Sequence, residues 1–339
     1  MSRYRFTIVV LILTGVLFVA LVVSLGVGAV FIPPERVVRV FIDSSNTGIV
    51  ASDVTIIRDL RLARVLLAAL VGAGLGTAGA AFQALFRNPL ADPFVIGASG
   101  GAALGATLAI TLGLTWNMAG FGPIPLAAFV GSLLAVLVVY VIANGNGGSV
   151  IGLLLAGAAL STVLTSVVSL LMLISDENMH QIFSWLMGGF GGRSWVHLWS
   201  SGPYLFLGFI LMWLLARPLD ALACGDETAL TIGLPLPYAR GAVVAIATLV
   251  TAAAVSAAGI IGFVGLVAPH IARLFFGATH HRLIPTSALI GALLTLLADD
   301  LARSVLAPVE LPVGIITSLV GGIFFLYLLK SRQRELRGG

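Results

Sequence analysis

From Phe6 to Ile32 the chain runs without a single charged side chain, and nine further apolar stretches follow it. A helix needs roughly 20 apolar residues to cross the hydrocarbon of a bilayer, where every backbone N–H and C=O must be bonded within the protein. The breaks in the apolar text place spans near 6–32, 62–86, 94–114, 123–143, 149–174, 196–216, 241–258, 261–278, 283–302 and 312–330. Only 9% of the 339 residues are charged and 59% are apolar, against about 25% charged in a soluble domain. That composition excludes a water-exposed globular surface, a disordered chain and a nucleic-acid binder. The expected fold is all-α, a polytopic membrane protein of about ten transmembrane helices.

Met1–Arg5 resembles the basic start of a signal peptide, but the apolar run after it exceeds the 7–15 residues of a signal core, so an uncleaved first span is expected. The segments facing one side collect most of the Lys and Arg, including the tail from Lys330 to Arg337, whereas most acids fall on the other side. The positive-inside rule then puts both termini in the cytoplasm. Residues 1–339 read as one transmembrane domain in the cytoplasmic membrane. Its longest inner polar break is 217–240. Cys224 stands alone, which excludes an internal disulfide framework and a Cys-rich metal site.

Forty glycines are too many for the turns of a helical chain. Gly72, Gly74, Gly76 and Gly79 share one span, with Gly72 and Gly76 at small-xxx-small spacing, and Gly97, Gly100, Gly101 and Gly105 share the next. Lipid supplies no hydrophobic drive between helices, so small residues that let backbones approach do that work. Two stretches stand apart from this packing role. One is Met187-Gly-Gly-Phe-Gly-Gly192. The other is Asn88-Pro-Leu-Ala-Asp-Pro93, whose two prolines forbid a continuous helix.

The ordered set of motifs is specific. Arg61-Leu-Ala-Arg64, Gly72 to Gln83, Asn88–Pro93, Gly97-Ala-Ser-Gly-Gly101, Leu153–Gly157, Trp185–Gly192, Gly262–Arg273, Leu297-Ala-Asp299 and Glu310-Leu-Pro-Val-Gly314 follow one another down the chain. Together they resemble the permease family of binding-protein-dependent ABC importers for cobalamin, haem and iron–siderophores. The resemblance implies ten helices per subunit, a homodimer with a central path, two ATP-binding cassette ATPase subunits and an extracytoplasmic substrate-binding protein.

It also implies roles for residues. Arg61 and Arg64 lie three apart, on one helix face at the outer start of the second span, and Arg303 closes the ninth span. By position alone these are interfacial anchors; by resemblance they dock acids of the binding protein, although Ala63 replaces the proline common in that pattern. Leu219, Asp220, Leu222, Gly225, Asp226, Glu227, Ile232 and Gly233 would form the ATPase-coupling element, Gly225 and Gly233 punctuating two short helices. Asn88 and Leu90 would narrow the inner mouth. Met187, Gly188, Gly189, Phe190, Gly191 and Gly192 would shape the outer one.

The chain has no Gly-x-x-x-x-Gly-Lys-Ser/Thr loop, and its only lysine is Lys330. ATP and Mg would therefore bind on the partner ATPase, and no cofactor or metal is expected on this chain. A competing reading is a proton-coupled secondary carrier using Asp299 or Asp300, since intramembrane carboxylates are costly and usually functional. The cargo class under the first reading is a metal chelate: haem, an iron–siderophore or a cobalamin.

Overall fold

The computed structural model describes residues 3–42, 51–116, 122–144 and 150–337. Met1, Ser2, Gly338 and Gly339, and the expected start of the fifth span at Ser149, lie outside the described residues. Every regular element among the described residues is helical. In chain order these are α1 (Arg3–Gly26), α2 (Pro34–Ile42), α3 (Ala51–Val54), which continues through a π-helical stretch (Thr55–Arg61) into α4 (Leu62–Leu85), α5 (Ala98–Thr111) and α6 (Pro123–Asn144). Then come α7 (Val150–Ile174), α8 (Met179–Leu186), α9 (Trp195–Leu214), α10 (Ala216–Cys224) and α11 (Asp226–Thr231). The chain closes with α12 (Leu236–Ala258), α13 (Val264–Phe276), α14 (His280–Ser304) and α15 (Val313–Arg337).

Among the described residues 6 helices are long and apolar enough to cross a membrane, and α9 with α10, bent by 59°, makes a seventh if the pair is one span. Three shorter apolar helices, Ala98–Thr111, Val264–Phe276 and Val313–Leu328, occupy the remaining expected positions. The undivided apolar text at 256–263 resolves into a break. Gly259 and Phe263 both take positive φ, of 71° and 68°, and end α12 before α13 begins.

The interior is organised on α4, which packs against α14, α13, α12 and α9. Its apolar window is 83% buried, whereas those of α1 and α7 are 11% buried and form the periphery. Glycine explains why α4 can be central. A Cβ at Gly72 would stand 2.2 Å from the Gly291 carbonyl oxygen, at Gly76 2.4 Å from that of Ser287, and at Gly79 1.7 Å from that of Gly265. Backbones of α4, α14 and α13 therefore touch with no room for a methyl group. α5 and α6 meet the same way, Gly101 against the Gly131 carbonyl and Gly105 against that of Ala127. Close approach maximises dispersion contacts where hydrophobic drive is absent.

Alternating helices give the bundle two ends. One carries Arg61, Arg64, Arg303 and α8; the other carries Arg87, α10 and α11. They are called the arginine end and the loop end below.

Candidate functional site

At the arginine end, the π-helical stretch delivers Arg61 and the first turn of α4 delivers Arg64 onto α14. Arg64 Nη2 donates to Asp299 Oδ1 at 2.8 Å, its Nε to both Asp299 oxygens at 3.1 and 3.2 Å, and its Nη1 to both Glu310 oxygens at 2.9 Å. Arg303 Nη2 donates to the Ser24 carbonyl at 2.6 Å and pairs with Asp300, while its Nε stands 3.6 Å from Asp299. Arg61 donates to the carbonyls of Leu25 at 2.8 Å and Val30 at 2.6 Å.

All three arginines are buried. They do not stand as the outward-facing row that docking by exposed arginines implies. The physical reason is local: at the rim of an apolar bundle an unpaired charge is costly, and Asp299 and Asp300 lie within reach on α14. Asp299, with 0% exposure, is held by two guanidiniums, and Asp300 accepts from Ser24 Oγ at 2.5 Å as well as from Arg303. Glu310 is the outward-facing member of the network, its side chain 46% exposed.

Beside this network lies a cavity of about 950 Å³. Gly188, Gly189, Phe190 and Gly191 form part of its wall, with Trp116, Gln181, Trp185, Arg193, His197 and Glu310 around them. Met187 and Gly192 are not on that wall. The glycine run is threaded where side chains would not fit. Gly188 has φ +64°, and a Cβ there would lie 2.3 Å from the Ile260 carbonyl oxygen. Gly189 N–H donates to the Ala258 carbonyl at 2.7 Å. Sequence reasoning gave Arg193 and His197 no role. Their only signal is position, directly after the glycine run and at the capped start of α9, where Ser194 and His197 form the capping box.

At the loop end, Asn88 and Leu90 are both exposed, and Asn88 Oδ1 accepts the Leu90 N–H at 2.9 Å, which shapes the turn. The coupling segment is two short helices divided at Gly225, followed by a turn at Gly233. Its predicted residues fall into three groups. Leu219 and Leu222 are buried as the root of the segment. Asp220 and Asp226 are tethers: Asp220 Oδ1 accepts the His280 N–H at 2.8 Å and lies 2.6 Å from its Nδ1, and Asp226 pairs with Arg87 at 2.5 Å and Arg240 at 2.6 Å. The hydrogen bond from Arg240, helped by the charges of Arg240 and Arg87 and opposed by slight burial, holds the Asp226 carboxyl below its ordinary range. Glu227, Ile232 and Gly233 are exposed. Leu230 and Ile232 are 58% and 67% exposed, large apolar side chains left mostly uncovered by the described residues.

Comparison with known proteins gives one answer over most of the chain. The chain is 42% identical over 279 residues to the cobalamin import system permease protein BtuC of Halobacterium salinarum, covering 82% of this chain and 74% of that one. It is 41% identical over 283 residues to the hemin transport system permease protein HmuU of Yersinia pestis, covering 83% and 84%. A solved structure described as an inward-facing conformation of a metal-chelate type ABC transporter superposes with a TM-score of 0.83 at 31% identity, covering 95% of this chain and 99% of that one. With the model of the FecCD transport family matching residues 16–331, the chain belongs to that family.

Proposed function

We propose that this chain is the membrane permease of an ATP-driven importer, working as a homodimer in the cytoplasmic membrane with two ATPase subunits. The arginine end faces outward and receives a metal chelate from a substrate-binding protein. The loop end faces the cytoplasm and docks the ATPase. The relatives' cargoes, cobalamin and hemin, set the cargo class of the proposal. The observation that carries the reading is the difference between the two ends. One holds a cavity of about 950 Å³ whose wall includes the glycine run, and the other a tethered pair of short helices with exposed Leu230 and Ile232.

ATP hydrolysis on the partner would press on α10 and α11 and tilt the helices tied to them. Asp226 joins that segment to Arg87 beyond α4 and Asp220 joins it to the start of α14. Arg61, Arg64 and Arg303 form the base of the docking surface, with Glu310 its exposed acid. Asn88 and Leu90 bound the inner mouth, and Gly188–Gly191 the outer one. A proton-coupled carrier is disfavoured because Asp299 and Asp300 are each held by arginine. Co-purification tests the assembly: the ATPase subunit is retained by the parent chain and lost with Leu230→Asp plus Ile232→Asp. Retention by that double variant would remove the docking claim.

A further inference from the structure

The cavity at the arginine end carries two charged side chains, Arg193 and Glu310. They are not equivalent. Both Glu310 oxygens lie 2.9 Å from Arg64 Nη1, so that acid is already compensated. Arg193 has no acid partner among the described residues, and its Nε, shut away from solvent, has no hydrogen-bond partner. Its polar neighbour is His197, with Nη1 3.2 Å from Nε2.

The imidazole accepts the Ser194 N–H on Nδ1 at 3.3 Å. Ser194 Oγ also lies 3.4 Å from Nδ1, so the ring is held on that side while Nε2 faces the Arg193 guanidinium and sets its position at the cavity edge. A guanidinium without an acid partner at the edge of a cavity is completed by an anionic oxygen, and it binds a carboxylate in particular through parallel N–H bonds. Trp116 and Trp185, also on the wall, add flat apolar surface beside this charge. The volume, about 950 Å³, is at the upper end of what small-molecule sites occupy, roughly 300–1,000 Å³.

We propose that Arg193, with His197 beside it, is a charge-selective subsite that holds an anionic oxygen of the chelate as it enters the cavity. The proposal rests on the importer reading and specifies the cargo further: an anionic chelate engages this wall and a neutral one passes it without that contact. The sign of the cavity follows from Arg193 being, among the described residues, its one uncompensated charge.

The test titrates the assembled permease–ATPase complex, in nanodiscs of zwitterionic lipid, with ferric dicitrate as the anionic probe and cyanocobalamin as the neutral one. Quenching of tryptophan fluorescence is the readout. Saturable binding of ferric dicitrate is expected, weakened at least fivefold by Arg193→Gln and restored in part by Arg193→Lys, which keeps the charge without the planar fork, with cyanocobalamin unmoved by either variant. Metal-free citrate should compete at least tenfold more weakly than its ferric complex. The proposal is overturned if ferric dicitrate shows no saturable binding to the parent complex. It is equally overturned if Arg193→Gln leaves that binding unchanged or weakens both probes alike, or if free citrate competes as well as the chelate. ATP-driven chelate uptake indifferent to Arg193→Gln would sink this subsite and leave the importer reading intact. Absence of any ATP-driven uptake, with charge-selective binding retained, would do the reverse.

Discussion

Asp220 on α10 caps α14: its Oδ1 accepts the backbone N–H of His280 at 2.8 Å and lies 2.6 Å from the ring Nδ1 of the same residue. An acid at a helix start satisfies an otherwise orphaned donor and meets the positive end of the dipole. This contact makes the loop-end segment part of α14, whose opposite end carries Asp299, Asp300 and Arg303. The bond to a charged acceptor contributes about 1 kcal/mol at this half-exposed site. Asp220→Ala should lower the melting temperature modestly. It should cut transport much more than ATPase activity, measured side by side in proteoliposomes. Equal losses in the two activities would mean the contact is structural only.

Arg64→Ala strips one of the two cations that fully buried Asp299 has, and the one pair that Glu310 has, among the described residues. Breaking a buried pair by removing one partner costs about 3–5 kcal/mol. The variant should be poorly folded, and adding Asp299→Asn should recover part of the loss in a thermal double-mutant cycle. Glu310→Gln, on the exposed side, should fold normally. A fully stable Arg64→Ala would show that the network is not part of the fold.

Gly79→Ala would place a methyl group 1.7 Å from the Gly265 carbonyl oxygen, where only backbone can give way. The expected cost is about 3 kcal/mol or more, seen as lost expression or a fallen melting temperature. Gly262→Ala, where a Cβ meets nothing within 4 Å and φ is not positive, should change stability by no more than about 0.5 kcal/mol. If both behave alike, the backbone contact between α4 and α13 is absent.

Asp226 is held below the ordinary carboxylate range by the Arg240 hydrogen bond and by the nearby charges. A depressed native pKa stabilises the fold fully above the unfolded value, near 3.8, and that contribution is lost as pH falls through the lower native value. The group is largely exposed, so the effect is small and screened by salt. Cys224, the single cysteine and exposed at the end of α10, provides a native spin-label site beside this tether. The label should become mobile only as pH falls below the ordinary carboxylate value of 3.8 and through the lower native one in the parent chain, and already at neutral pH with Asp226→Asn. A label as immobile in Asp226→Asn as in the parent at neutral pH would remove the tether's role.

The apolar runs made the long spans legible, and small-residue spacing correctly marked Gly72 and Gly76 as a helix contact. The two helices divided at Gly225 were legible from turn chemistry. By contrast, α2 was not, because it is fixed by burying Val37 and Val40 against the bundle rather than by its own short sequence. The break at Gly259–Phe263 carries no charge to announce it. The burial of Arg64 depends on partners 235 and 246 residues away, which local reading cannot supply. Arg193 counted only as one more charge until the fold set it beside His197 and the glycine run.

The central claim is that transport through this chain is driven by ATP on another subunit. It is tested most directly by uptake of haem, a ferric siderophore or cobalamin into proteoliposomes. These would hold this chain and its ATPase, with ATP inside and the binding protein delivering cargo from outside. The account predicts uptake that requires ATP and the ATPase and persists when the proton gradient is collapsed. Uptake by this chain alone, driven by a pH gradient, would contradict it.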